Sequence, residues 1–160
     1  MLSNTQLSPH FSLAEATFSS TAMRNGIDNS NPSQEIISSA MRTAQNMERV
    51  RTILGGPIHV DSWIRCLELN RALGSKDDSQ HIKGEAVDFL CLSFGPPKVI
   101  ATYLLGYKDM IIWDQLILEH GWIHISWNNL PNAPQRGQVL SLLSTGKYAI
   151  GLTDKFGKRI

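Results

Sequence analysis

The chain has 160 residues, and its 15 Lys and Arg against 14 Asp and Glu give a formal net charge of +1 at pH 7. Such a balance lacks the excess of cations with which proteins neutralise many phosphates, so we expect no nucleic-acid partner. The length is typical of one domain that buries a sizeable core without disulfides, and we expect a single domain over residues 1–160.

Cysteine content and hydropathy indicate the compartment. The two cysteines, Cys66 and Cys91, are too few for a disulfide framework and form no CxxC, so we expect free thiols in or near the core. Residues 1–10 contain no basic region followed by an apolar run, and no later stretch approaches about 18 continuous apolar residues. We therefore expect a protein made in the cytoplasm, without a secretory signal or membrane insertion. We also expect a monomer.

Helical signals dominate the first third of the chain. The capping box that begins at Ser12 predicts a short helix that fades toward Gly26. Apolar residues at steps of three and four predict a long helix over residues 32–54, with Pro32 in its first turn. Shorter helices are predicted over residues 67–73 and 96–105.

Strand signals dominate the rest of the chain. The predicted strands cover residues 58–60, 86–92, 111–118 and 122–127, and a hairpin over residues 138–152 turns at Thr145-Gly146. Early helices followed by mainly antiparallel strands indicate the α+β class. We expect the N-terminal helices to pack on a small sheet that carries the functional site.

Three side chains in this region suit a metal. His81 ends a polar loop, Asp88 lies on the next predicted strand, and His124 lies on a later strand. Zinc commonly binds imidazole nitrogen and carboxylate oxygen, and a catalytic zinc uses three protein ligands and keeps a fourth position open. The sequence therefore predicts a hydrolytic zinc site.

Amide hydrolysis also requires a group that takes and returns a proton. Glu119, at the turn before the His124 strand, is the candidate, and Glu85 and His120 remain alternatives. Arg65 is the candidate cation for negative charge that develops on the carbonyl, although it could instead pair with Asp61 or another surface acid. Asp114 is expected either to orient a ligand histidine or to cap a turn.

These residues resemble a known family, the zinc D-Ala-D-Ala carboxypeptidases and their relatives. The relatives include phage peptidoglycan endopeptidases, vancomycin-resistance dipeptidases and the hedgehog amino-terminal domain. The family pattern SxHxxGxAxD stands at residues 79–88, and a WxHxS strand stands at residues 122–126. Further likeness at residues 11–15, along the long helix and at residues 113–117 is typical of the compact branch found in phages and prophages. The resemblance covers nearly the whole chain and is weakest after Asn128.

The resemblance implies roles for individual residues. It implies that His81, Asp88 and His124 bind Zn²⁺ and that Arg65 contacts the substrate or the transition state. It also implies that Ser79 and Gln80 line the substrate pocket, although Ser79 could instead only shape its loop.

The chain departs from the family pattern at two places. Many relatives carry the catalytic carboxylate three residues before the last histidine, where this chain has Gly121, so the role passes to Glu119. The segment Ser62-Trp63-Ile64-Arg65 replaces a Ser-Gly-aromatic-Arg turn. We expect the bulk of Trp63 to reshape the pocket beside Arg65.

The resemblance implies a zinc-dependent peptidase that hydrolyses an amide bond in peptidoglycan stem peptides. It would act as an endolysin-like endopeptidase or as a D,D-carboxypeptidase. Two alternatives stay open: a catalytically inactive, zinc-containing virion or cell-wall-binding protein, and a D-Ala-D-Ala dipeptidase. Without a secretory signal, we expect the protein in the cytoplasm of a phage-infected bacterium, acting on the cell wall after its release.

Overall fold

A computed structural model describes residues 5–160, which form six helices and eight strands. The helices are α1 (Leu13–Thr17), α2 (Ser20–Asn25), α3 (Gln34–Leu54), α4 (Leu67–Ala72), α5 (Pro97–Leu105) and α6 (Lys108–Ile111). The strands are β1 (Gln6–Ser8), β2 (Phe11–Ser12), β3 (His59–Ser62), β4 (Ala86–Leu90), β5 (Gln115–Leu118), β6 (Ile123–Ser126), β7 (Gln138–Leu142) and β8 (Tyr148–Ile150). A 3₁₀ turn, Gln80–Lys83, precedes β4. Within residues 5–160, no helix has the length and apolar character needed to cross a membrane.

Two expectations extend beyond this range. The first four residues of the expected domain, 1–160, lie outside the described residues. The same four residues belong to residues 1–10, the segment in which we expect no secretory signal. Both expectations stay predictions.

The N-terminal helical region contains two helices where the sequence predicts one. The capping box forms, since the Ser12 hydroxyl accepts a hydrogen bond from the Glu15 backbone N–H at 3.1 Å. However, Phe18 has an extended backbone, which ends α1, and the Ser19 hydroxyl then caps α2 through the Ala22 N–H. Gly26, at φ 64°, ends α2 where the sequence predicts the end of the helix.

Helix α3 forms as the apolar periodicity predicts, but it starts two residues later. Ser33 is the N-cap, and its hydroxyl accepts from the Ile36 N–H, so Pro32 lies before the helix. Met41 belongs to the same apolar periodicity but is exposed, outside the buried face of the helix. That buried face packs in the main core and consists of Ile37, Ala40, Thr43, Ala44, Met47, Val50 and Leu54.

The main sheet has six strands in the order β3-β4-β6-β5-β7-β8. All neighbouring pairs are antiparallel except β5 and β7, which are parallel. The α+β class is therefore confirmed, with a mixed sheet that is mainly antiparallel. Strands β7 and β8 form the predicted C-terminal hairpin.

The strand predicted over residues 111–118 is wrong in its first part. Lys108–Ile111 is helical, and Ile112 adopts the left-handed conformation at φ 49°, which reverses the chain before β5 begins at Gln115. Ile111 and Trp113 are buried by tertiary packing and do not alternate along a strand. An apolar run of this length indicates burial without distinguishing helix from strand.

The neighbouring strands β4 and β6 have a core face and a functional face. Val87 and Phe89 on β4 and Ile123 and Ile125 on β6 belong to the core. Alternate residues point to the opposite face, where Asp88 stands directly across from His124 in the β4–β6 register. Strand pairing therefore brings two of the candidate ligands together.

Candidate metal centre

Three candidate ligands meet at the functional face of the sheet. His81 comes from the 3₁₀ turn, Asp88 from β4 and His124 from β6, and a nitrogen or oxygen atom of each lies within 4.8 Å of the others. Asp88 Oδ2 lies 3.2 Å from His81 Nε2, and Asp88 Oδ1 lies 2.8 Å from His124 Nδ1. Their side chains are only 4%, 8% and 14% exposed, for His81, Asp88 and His124 respectively.

The turn that carries His81 is held against α3. The Ser79 hydroxyl accepts from the His81 backbone N–H, and Gly84 ends the turn in the left-handed conformation, at φ 71°. A Cβ atom at Gly84 would lie only 3.1 Å from the Ile36 carbonyl oxygen of α3. The glycine of the SxHxxGxAxD pattern thus allows a close approach between the turn and the helix.

The orientation of the His81 ring is set by the backbone of Trp63. His81 Nδ1 lies 2.7 Å from the Trp63 carbonyl oxygen, which can only accept, so Nδ1 carries the proton and Nε2 faces Asp88. The Trp63 ring is 1% exposed and packs edge-on against Phe11 in the core. The ring is therefore part of the core and not of the pocket wall beside Arg65, and an effect of its bulk on the shape of that pocket stays a prediction.

The electrostatic environment favours the protonation states that bind a metal. Burial alone would raise the pKa of Asp88, but His81 and His124 hold this pKa well below its ordinary range. Burial lowers the pKa of His81, which favours the neutral imidazole. The donor set of two imidazole nitrogens and one carboxylate oxygen fits zinc, with a fourth position left open.

Arg65 lies beside these ligands. Its Nη2 donates to Asp88 Oδ2 at 2.8 Å and its Nε donates to the Ser62 hydroxyl at 2.8 Å, while the side chain is 10% exposed. Burial lowers the pKa of Arg65, and Asp88 opposes this shift, so the guanidinium stays charged. Asp61, the alternative partner, instead lies 3.2 Å from His59.

A cleft of about 720 Å³ opens over the three candidate ligands. Arg65, Ser79 and Gln80 line it, and the contact with a substrate that the resemblance implies for them stays a prediction. Ser79 therefore shapes the turn and also faces the cleft. The rim includes two residues that the sequence did not indicate, Arg136 and Tyr148.

Of the three candidate bases, Glu119 is the one that faces the cleft. It lines the cleft wall, and its Oε1 accepts from the Tyr148 hydroxyl at 3.2 Å. Burial raises the pKa of Glu119, and the neighbouring His124 opposes this shift in part. Glu85 is buried and accepts from the Asn129 N–H, and His120 is exposed, with neither in the cleft lining.

Asp114 stabilises the rim and does not contact a ligand histidine. Its carboxylate accepts from Arg136 Nη2 at 2.7 Å and from Gln80 Nε2 at 3.1 Å. Burial alone would raise the pKa of Asp114, but hydrogen bonds from Arg136 hold it below its ordinary value. The expectation that Asp114 orients a ligand histidine is therefore wrong, because that role belongs to the Trp63 carbonyl for His81.

Comparison with protein families gives a match to a family model described as Peptidase M15, over residues 9–126. This segment is more than half of the chain, and it contains the three candidate ligands together with Arg65 and Glu119. Arg136 and Tyr148 follow it. Comparison with curated proteins gives no match.

Proposed function

The chain belongs to the M15 peptidase family, whose members are zinc-dependent metallopeptidases, and from this premise we propose that it hydrolyses an amide bond in peptidoglycan stem peptides. It acts either as an endolysin-like endopeptidase or as a D,D-carboxypeptidase. The observation that carries the proposal is the position of His81, Asp88 and His124 beneath an open cleft that Glu119 also lines.

The side chains around the centre have complementary tasks in this reaction. Zinc, when bound by His81, Asp88 and His124, supplies a Lewis acid that polarises the scissile carbonyl and activates water. Glu119 takes a proton from the attacking water and returns it to the leaving amine, and a raised pKa brings this carboxyl closer to neutral pH, where proton transfer in both directions is efficient.

Arg65, Ser79 and Gln80 act on the substrate itself. Arg65 stabilises the negative charge that develops on the carbonyl oxygen, because its buried guanidinium stays fixed by Asp88 and Ser62. A cation that is already fixed costs little reorganisation when the charge appears. Ser79 and Gln80 orient the peptide along the cleft.

The proposal includes a biological setting. The protein acts as a monomer on the cell wall after release from an infected bacterium, and it needs neither nucleic acid nor membrane insertion. The support for this setting is the resemblance to the compact phage and prophage branch together with the near-neutral charge.

Release of amino groups from purified peptidoglycan tests the proposal. Zinc-loaded protein is expected to release amines from the wall of at least one bacterial type, to lose this activity with a chelator and to regain it with added zinc. Free D-Ala-D-Ala is assayed in parallel, and cleavage of the dipeptide alone would indicate a dipeptidase. No release from any substrate, with zinc confirmed bound, would overturn the peptidase proposal and favour the wall-binding alternative.

A further inference from the structure

The C-terminal hairpin of β7 and β8 follows the family-matched segment, yet it forms part of the cleft. Leu140, Leu142 and Tyr148 of this hairpin line the cleft. Strand β7 pairs in parallel with β5, and its Ser141 stands across from Leu118, the residue before Glu119. The hairpin is therefore hydrogen-bonded to the strand that leads into the candidate base.

One side-chain contact joins the hairpin to Glu119. The Tyr148 hydroxyl donates to Glu119 Oε1 at 3.2 Å. Burial and the neighbouring Glu119 carboxylate raise the pKa of Tyr148 to about 12, so the phenol keeps its proton at neutral pH. Within residues 5–160 the Glu119 carboxylate makes this one hydrogen bond, through Oε1, and its Oε2 has no protein partner.

The backbone of Glu119 is already fixed, since its N–H donates to the Trp122 carbonyl oxygen at 3.1 Å. The side chain is not fixed by that bond, because a glutamate has three rotatable bonds beyond its Cα. A general base must lie within hydrogen-bond reach of the proton it takes, and an error of about 1 Å in position costs about 100-fold in rate. The role proposed for Glu119 thus requires a contact that fixes its carboxylate.

We propose that Tyr148 is a positioning residue: its hydroxyl holds Glu119 through Oε1 and leaves Oε2 free to take the proton of the attacking water. This inference rests on the proposed function, because it assigns Tyr148 a task through Glu119. The family-matched residues thus hold the metal ligands and the base, and the C-terminal hairpin holds the base in place.

The variant Tyr148→Phe tests the inference because it keeps the ring and removes only the hydroxyl. We expect kcat on peptidoglycan to fall about 10- to 100-fold while KM changes less than about twofold. Zinc content and melting temperature are expected to stay at wild-type values, since half of the Tyr148 side chain is exposed and no candidate ligand contacts its hydroxyl. In a Glu119→Gln background the same substitution is expected to have little further effect on kcat, as two residues that act as one unit are not additive.

Tyr103→Phe is the matched control. Its hydroxyl also bonds to a side chain, Tyr107, at 3.0 Å, but it lies on α5 and outside the cleft lining. We expect wild-type kinetics for this variant. A Tyr148→Phe enzyme with a raised KM and an unchanged kcat would overturn the inference, because it would give Tyr148 only a wall-forming role.

High-resolution crystal structures of zinc-loaded wild type and Tyr148→Phe separate this inference from the proposed function. We expect one ordered position for the Glu119 carboxylate in the wild type and several rotamers in the variant. An identical ordered carboxylate in both structures would overturn the positioning role even if both proteins are active. A wild type without activity would count against the proposed function alone, because the comparison of the carboxylate positions needs no turnover.

Discussion

At the scale of single residues, Glu119 differs from the two alternative bases in where its side chain lies. Glu85 satisfies backbone and side-chain donors inside the protein, including the Asn129 N–H at 3.0 Å. His120 is exposed to solvent outside the cleft. Of the three candidates, Glu119 is the one that lines the cleft, and burial raises its pKa.

Glu119→Gln therefore tests the assignment of the base. The variant keeps the shape of the side chain but cannot take a proton, so we expect kcat/KM to fall by about 10²- to 10⁴-fold with zinc content unchanged. Glu35→Gln, at an exposed position in the first turn of α3, is a matched control and should keep wild-type activity. Digestion of cell walls by Glu119→Gln or Glu119→Ala at the wild-type rate would contradict the assignment, and loss of activity in His120→Ala would point to His120.

Residue spacing predicted the candidate ligands more readily than the contacts around them. His81, Asp88 and His124 stand in a recognisable pattern because strand pairing needs Asp88 and His124 at fixed positions. The bond from Arg65 to Asp88 has no such signature, since it depends on how the chain turns after β3. The Trp63 carbonyl that orients His81 is a backbone group, which no side-chain pattern can indicate.

At the scale of elements, the 3₁₀ turn Gln80–Lys83 positions His81. Two buried donors, Thr43 Oγ1 and Trp63 Nε1, bond to the Gly84 carbonyl oxygen, at 2.9 and 3.0 Å. These bonds hold the end of the turn against α3 and the core. The glycine is therefore part of the site although it contacts no ligand atom.

Gly84→Ala is expected to lower the free energy of unfolding by about 1–3 kcal/mol. The added Cβ both strains a left-handed backbone and lies 3.1 Å from the Ile36 carbonyl oxygen. Gly74→Ala is the control, because Gly74 is also left-handed, at φ 74°, but has open space around its Cβ position. Denaturant unfolding without metal measures both variants, and an equal loss in the two would contradict the close approach to α3.

Elements with a strong local signal were predicted well, and the exceptions have physical causes. The periodicity of α3 and the apolar strands β4 and β6 agree with the structure to within about two residues. The break between α1 and α2 lies at Phe18, whose type does not mark a helix end. The left-handed Ile112 is a conformation that a β-branched residue rarely adopts, so α6 could not be inferred from the sequence.

At the scale of the whole molecule, the cleft combines segments that are distant in sequence. The metal ligands come from the middle of the chain, while Arg136 and Tyr148 come from the C-terminal part, where the resemblance is weakest. The hairpin itself was predicted, but its parallel pairing with β5 is a long-range contact without a local signal. The metal ligands were therefore predictable from the sequence, whereas the part of the cleft lining that the C-terminal residues form was not.

The measurement that tests the central claim most directly is mass spectrometry of peptidoglycan digested by the zinc-loaded protein in H₂¹⁸O. Hydrolysis of a stem-peptide amide is predicted to give fragments whose new carboxyl group carries ¹⁸O, and to identify the bond that is cut. These fragments should be absent when a chelator removes the zinc. Unchanged muropeptides from the walls of several bacterial types, with zinc confirmed bound, would contradict the account.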